Sequence, residues 1–325
     1  TAAPSGYEWS LGMAEKIQMI LGKKSIRIGN NLVYEVGQGS KTVFVCAHMD
    51  EVGFFIKHDQ KNGRLYLNPI GFVDPTSVIN KKIDIYRFTG RKSQKIAVGL
   101  VTGESDTVTF SNLIVKTEKT DPITTGSVAT FSKTCIFNGD SVSATSLDNK
   151  VGVTALISLV QFFKENPLEN VKIIFCFSSA EEQGMNGVMS AVRTYNPDLC
   201  IDIDSAYAQP YIDTNMDYWT IPEIGKGPAL QLMGQEWILP DYLRAYVEKI
   251  AEEKGILLQY EIPSGDEGGT QSLFYASAGY PFIQLNIPVA DQHTPQSQAS
   301  RQDIEEVVIL TKVIIQECNK VIILP

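Results

Sequence analysis

Histidine is scarce in this chain of 325 residues, with only His48, His58 and His293. Cysteine is equally thin. The five thiols are scattered and form no Cys-x-x-Cys pair, which argues against a disulfide framework and a structural zinc site. Cys46, Cys176 and Cys200 sit inside apolar runs and read as buried free thiols of a reducing cytosol. No apolar run reaches 18 residues, so no membrane-spanning helix is expected. The opening TAAPSGYEWS lacks a charged n-region and an apolar h-region, so no secretory leader is expected and the chain reads as cytoplasmic. Neither a GxGxxG nor a Walker A pattern occurs, leaving no nucleotide fingerprint. Positive charge is also in deficit. A net charge of −9 repels phosphate backbones and excludes nucleic acid as a natural partner.

What is present is an ordinary globular composition, 43% hydrophobic and 20% charged, enough for a full core. Residues 7–21 have helical spacing, and KTVFVCAHMD and VGFFIKHD read as strands. From about 60 to 140 the texture changes to short β-branched segments separated by Gly, Pro, Asp and Ser turns, the pattern of a small all-β unit. After Asp148 helices and strands alternate again: a helix from NKVGVTALISL, strands at VKIIFCFSS and PDLCIDID, a helix ended by Gly255, a strand at PFIQLNIPV and a long closing helix with Asp303 in its first turn. The sequence therefore predicts one α/β domain interrupted by a β-rich insertion. The runs 43–46, 171–177 and 282–287 are apolar throughout, as parallel strands buried on both faces are.

Ligands of open α/β sheets gather at the carboxyl ends of strands. His48, the pair Glu181-Glu182, Asp204 and His293 all fall just there, and Asp148 precedes a helix. Two imidazoles and several carboxylates at one rim would make a dinuclear metal site. Each position has a plainer reading when taken alone: a strand-edge histidine, an acidic turn before Gly184, a helix N-cap at Asp148. Asp202 and Asp204 share one strand face, and Asp204 is preferred as nearer the end. His48 and Asp50 are two residues apart on an extended segment, so Asp50 can orient the imidazole. Neighbouring Glu181 and Glu182 diverge, so one can bind metal while the other moves protons. His58, in the polar stretch IKHDQKNGR, reads as a solvated surface residue, and the glycines of SGDEGGT (264–270) permit close backbone approach to a ligand.

The segments AHMDEVG, SLDNKVG, SSAEEQGMNG, PDLCIDIDSA, GDEGGTQS and IPVADQHTP, with the opening PSGYE, resemble the ordered motifs of the tetrahedral or glutamyl aminopeptidases, which are cytosolic dinuclear metallopeptidases. The likeness runs over nearly the whole chain. It implies a doubly wound, mostly parallel sheet formed by residues 1–62 and 141–325, with a β-barrel oligomerisation domain inserted at 63–140. It also implies two divalent ions, zinc, cobalt or manganese. His48 and Asp204 would hold one, Glu182 and His293 the other, and Asp148 would bridge. Glu181 would be the general base, with Asp50 supporting His48. Implied partners are a peptide substrate and copies of the chain itself, often twelve. The chain departs from the family pattern at Asn149-Lys150, where Asp-Arg is usual, at Asn186, where arginine is usual, and at Gln271-Ser272, where Asp-Ala is usual. Three other readings stand beside it: a glycoside hydrolase with paired carboxylates, a carboxypeptidase or deacylase on the same metal core, and an inactive scaffold.

Overall fold

Four apolar runs become the parallel centre of the sheet. In spatial order they are Glu169–Ser178, Gln38–His48, Leu199–Tyr207 and Phe282–Ala290, and their inward segments are almost wholly buried. The computed structural model describes residues 1–59, 64–90, 92–103, 107–118, 122–208, 220–263 and 268–321. Among these, an eleven-stranded mixed sheet extends from the parallel centre through antiparallel edge strands on both sides. The strands Ala229–Gln231 and Gln259–Glu261 lie off the main path, the first pairing with Phe282–Ala290. The helix Leu147–Glu165 packs on the strands Gln38–His48 and Leu199–Tyr207 and against the closing helix Arg301–Val321. This is the α/β architecture that the alternation implied.

Six strands (Gly53–Asp59, Arg64–Ile70, Leu113–Lys116, Lys92–Gly103, Lys82–Thr89 and Val128–Phe131) close into a separate barrel. Its own core includes Phe54, Ile56, Ile83, Ile85, Val101 and Phe131. The Phe54 and Phe131 rings meet edge to face at 5.4 Å. His58 lies on the first barrel strand, as the VGFFIKHD pattern implied, but it is half-buried and not the fully solvated residue expected. The expected helix over 7–21 also shortens. Gly12 sits at φ +89, so the helix starts at Met13, and Pro4–Gly12 forms turns instead. No described helix is long and apolar enough to cross a membrane.

One buried carboxylate ties these parts together. Glu51, fully buried, accepts the Ala3 amide at 3.0 Å and the Lys133 ammonium at 2.5 Å, and it pairs with Lys150. Lys133 follows the last barrel strand, and Lys150 starts the long helix. Burial alone would raise the Glu51 pKa, but the two lysines outweigh it and hold the carboxyl well below its usual range. Burial in turn pulls Lys133 down to about 8. A carboxyl with a lowered folded-state pKa stabilises the fold above its unfolded value and loses that contribution as pH falls below about 4.3. Glu51→Gln should therefore cost on the order of 3 kcal/mol at neutral pH. Urea unfolding at pH 7 and at pH 4 checks this: the gap between parent and variant should narrow in acid.

Candidate active site

The strand Gln38–His48 has a parallel neighbour on each side: Glu169–Ser178, the next parallel strand in the chain, lies on one side, and the chain then crosses to Leu199–Tyr207 on the other, so the strand order reverses here. A crevice opens at such a switch point, beyond the carboxyl ends of the strands. His48 closes the central strand, the loop after Ser178 brings Glu181 and Glu182, and Asp204 lies on the strand Leu199–Tyr207. His293 arrives from the bend after Ala290, in a left-handed conformation at φ 57.

Asp148 stands between the two imidazoles. Its Oδ1 is 3.1 Å from His48 Nε2 and its Oδ2 is 3.1 Å from His293 Nε2. His48 Nε2 also lies 3.3 Å from Asp204 and 3.9 Å from Glu181, while His293 Nε2 lies 3.1 Å from Glu182. Asp148 does not cap the helix that follows. Asn149 does so, accepting the Gly152 amide at 2.9 Å and donating to the Ile203 carbonyl at 2.8 Å. Both Asp148 oxygens are thereby free to face the cluster. Asp202 points to a different environment: it is buried beneath the site, where Gln271 donates to it at 3.3 Å.

Asp50 does more than face His48. Its Oδ1 is 3.5 Å from His48 Nδ1, long for a hydrogen bond. Its oxygens accept the amides of Glu181 at 3.1 Å and Glu182 at 3.2 Å, and the Ser5 hydroxyl. Buried Asn31 fixes the same loop, accepting the Ser179 amide at 3.0 Å and donating to the Gly187 carbonyl at 2.9 Å. Buried Glu8 accepts the Ala180 amide at 3.2 Å. Gly187 admits no side chain, because a Cβ there would fall 1.6 Å from the Ser179 carbonyl oxygen. Asn31, Glu8 and Ser5 were not singled out by sequence. PSGYE carries meaning only through the family likeness, and a lone Asn at the start of a strand carries no signal.

The electrostatics are those of crowded like charges. Burial raises Glu181 well above the usual carboxyl range, and neighbouring Asp204 and Glu182 add to it. Glu182 and Asp204 are raised by burial as well. Burial would raise Asp148 too, but hydrogen bonds from His293 and His48 reverse the shift. Burial would depress both imidazoles, yet the surrounding carboxylates lift them well above their ordinary value. The cluster opens into a cavity of about 490 Å³, also lined by Phe72, Met185, Tyr207, Gln231, Glu261 and Gly268. The barrel reaches its mouth. Gly71 donates to the Gln183 side chain at 3.1 Å, and the Phe72 ring lies 6.5 Å from that of His293. Of the glycine-rich loop, residues 264–267 lie outside the described residues, and Gly268 and Gly269 line the cavity.

These residues fit divalent cations. His48, Asp148 and Asp204 offer ligand atoms all within 4.8 Å of one another, and Asp148, Glu182 and His293 do the same. Glu182 Oε1 is buried without a hydrogen-bond partner, a donor atom free for a cation.

A family model described as M42 glutamyl aminopeptidase matches residues 29–310. The chain is 26% identical over 334 aligned residues to the lysyl aminopeptidase of Pyrococcus furiosus, covering 96% of this chain and 93% of that one. Its fold is similar to that of a TET aminopeptidase from a marine sediment archaeon of the Thaumarchaeota, with a TM-score of 0.85 and 19% identity over 97% of this chain and 92% of the other. It is also similar to the Pyrococcus horikoshii TET1 peptidase, described as assembling into a tetrahedron or a large octahedral shell, with a TM-score of 0.82 and 24% identity over 97% and 96% of the two chains. With a match running from the first sheet strands into the closing helix, the chain belongs to the M42 glutamyl aminopeptidase family.

Proposed function

We propose that the chain removes the N-terminal residue of short peptides at a site loaded with two divalent cations. The observation that carries this reading is the placement of Asp148, one oxygen toward each imidazole, between two groups of convergent ligand atoms. His48 and Asp204 would hold one ion, Glu182 and His293 the other, and Asp148 both. Zinc, cobalt and manganese all suit such mixed ligands. The chemistry supplied by such a pair when bound is Lewis acidity toward the scissile carbonyl and the attacking water.

The chain's own residues move the proton. Buried Glu181, with its raised carboxyl, takes a proton from the water as the new C–O bond forms. It passes that proton to the leaving amine nitrogen as the C–N bond breaks. Asp50 keeps the Glu181 and Glu182 amides, and so both side chains, in register with His48. A glycosidase pair needs carboxyls about 5–10 Å apart with a sugar between them. Here Asp148 is within 4.8 Å of both Asp204 and Glu182, which favours shared cations over that alternative.

The peptidase unit is read as residues 1–62 and 141–325 and the inserted unit as 63–140; the strand Gly53–Asp59, inside the first range, is itself a strand of the closed barrel. Assembly into a homo-oligomer of twelve copies is read from the TET relatives, one described as a dodecamer and one as a tetrahedron or large octahedral shell, and a cytosolic location from the free, unpaired thiols. Exposed Phe137 and Ile309, beside an apolar groove between the strand Cys135–Asn138 and the closing helix, suit burial against another copy.

Glu181→Gln should keep its metal and lose about 10²–10⁴ in kcat on aminoacyl anilides. Parent-like turnover in that variant would remove Glu181 as the base. His293→Ala should lower metal content from two ions per chain toward one by elemental analysis. In the parent protein a chelator should abolish activity, and zinc or cobalt should restore it. A free peptide should be cleaved and its N-acetylated form should not; equal cleavage of the two would favour a deacylase or carboxypeptidase.

A further inference from the structure

One carboxylate in the cavity has no part in the chemistry above. Glu261 lines the same space as the ligand cluster and is only 4% exposed. It lies on the short strand Gln259–Glu261, which is joined to the sheet through Ala229–Gln231. Asn286 sits beside Asp204 in the strand register and donates to the Glu261 carboxylate at 2.5 Å. The same amide donates to Gln231 at 2.9 Å, and its oxygen accepts Gln284 at 2.7 Å. Gln284 is held in turn by Thr270 and Ser272. The Glu261 side chain is thus fixed by a buried amide network in one position facing the cavity.

Charge decides what that position recognises. The cavity's described lining includes Asp148, Glu181, Glu182 and Asp204 but no lysine or arginine. Two divalent cations balance those four carboxylates and leave Glu261 uncompensated. Among the described residues the rest of the lining, including Met185, Tyr207, Gln235 and the Gly268-Gly269 backbone, carries no lysine or arginine. A buried anion without a counter-charge is costly, and a ligand that carries the cation relieves the cost. We propose that Glu261 selects peptides whose first residue is lysine or arginine, receiving the side-chain cation while the aliphatic stem lies along Met185 and Tyr207. This reading deepens the aminopeptidase proposal and rests on it. It also predicts, against the family's descriptive name, that an N-terminal glutamate is rejected, because its carboxylate would meet Glu261 and the ligand carboxylates with no cationic side chain opposite. Burial, with Asp204 nearby, pushes the Glu261 carboxyl up to about 8, so without a counter-charge it holds a proton near neutral pH, and it releases that proton to solvent as the substrate cation takes its place.

The test compares lysyl, norleucyl and glutamyl p-nitroanilides on the metal-loaded protein, together with competitive inhibition by L-lysinamide and L-norleucinamide. Norleucine matches lysine in chain length but carries no charge. In the parent, kcat/KM for the lysyl anilide should exceed the norleucyl value by about 10- to 100-fold, the range of a hydrogen bond to a charged group. The glutamyl anilide should be poorest, and lysinamide should bind tighter than norleucinamide. Glu261→Gln should reduce the lysyl-to-norleucyl ratio by the same factor, mostly through KM. A parent that favours the norleucyl or glutamyl anilide overturns the assignment without any variant being made. So does a Glu261→Gln protein, folded by circular dichroism, whose ratio is unchanged. If the metal-loaded parent cleaves none of the three, nor any other free-amine anilide, the aminopeptidase reading itself fails and takes this one with it.

Discussion

Five carboxyl groups share one partly enclosed cavity with two imidazoles, and no lysine or arginine stands among the described residues that line it. That is the constraint on which the remainder of the structure turns. Buried like charges repel at a few ångströms with energies that water would screen and a protein interior does not. Burial first, and neighbouring carboxylates after it, raise Glu181, Glu182 and Asp204, while the same carboxylates make both imidazoles hold their protons tightly. Divalent cations resolve the repulsion. A chain that concentrates acid groups in this way accepts a stability cost in exchange for a site that attracts metal.

The fold meets that cost with rigid support. Three of the cluster's positions hang from adjacent parallel strands whose register is set by buried apolar residues, so His48, the Glu181-Glu182 loop and Asp204 cannot shift independently. The loop is held from three directions: Asp50 beneath its amides, Asn31 across its ends and Glu8 behind Ala180. The Asn149 cap ties the start of the long helix to the Asp204 strand, which fixes Asp148 relative to it. Glu51 then locks the barrel and helix start to the end of the His48 strand.

Part of this was legible in the sequence. Polar residues at the ends of apolar strands have few structural reasons to be there, so His48, Asp204 and His293 stood out once several coincided. The change of texture after the first strands announced the barrel, because short β-branched segments between turns have few other solutions. What stayed hidden depends on contacts between distant segments. Glu51 looks like any polar residue after Asp50 until Lys133 and Lys150 converge on it. Glu261 lies on a three-residue strand with no periodicity, and its network with Asn286 and Gln231 joins three separate stretches of chain. Asp148 and Asn149 compete for the same helix-capping position in sequence, and only backbone geometry assigns the cap to Asn149.

The amino-terminal segment shows how an unremarkable stretch becomes part of the chemistry. A helix starting at residue 7 would have left Glu8 on its first turn. Gly12, at φ +89, delays the helix to Met13, and the turns before it pack against the end of the His48 strand. Ser5 then donates to Asp50, and Glu8 reaches the Ala180 amide. Burial and the nearby Asp50 raise Glu8 to about 7, which lessens its charge beside that aspartate. The segment therefore contributes hydrogen bonds to Asp50 and to the loop that carries the two glutamates. Its effect passes through Asp50 to the two glutamates, which places the origin of their alignment more than 40 residues upstream of His48 in sequence and directly behind it in space.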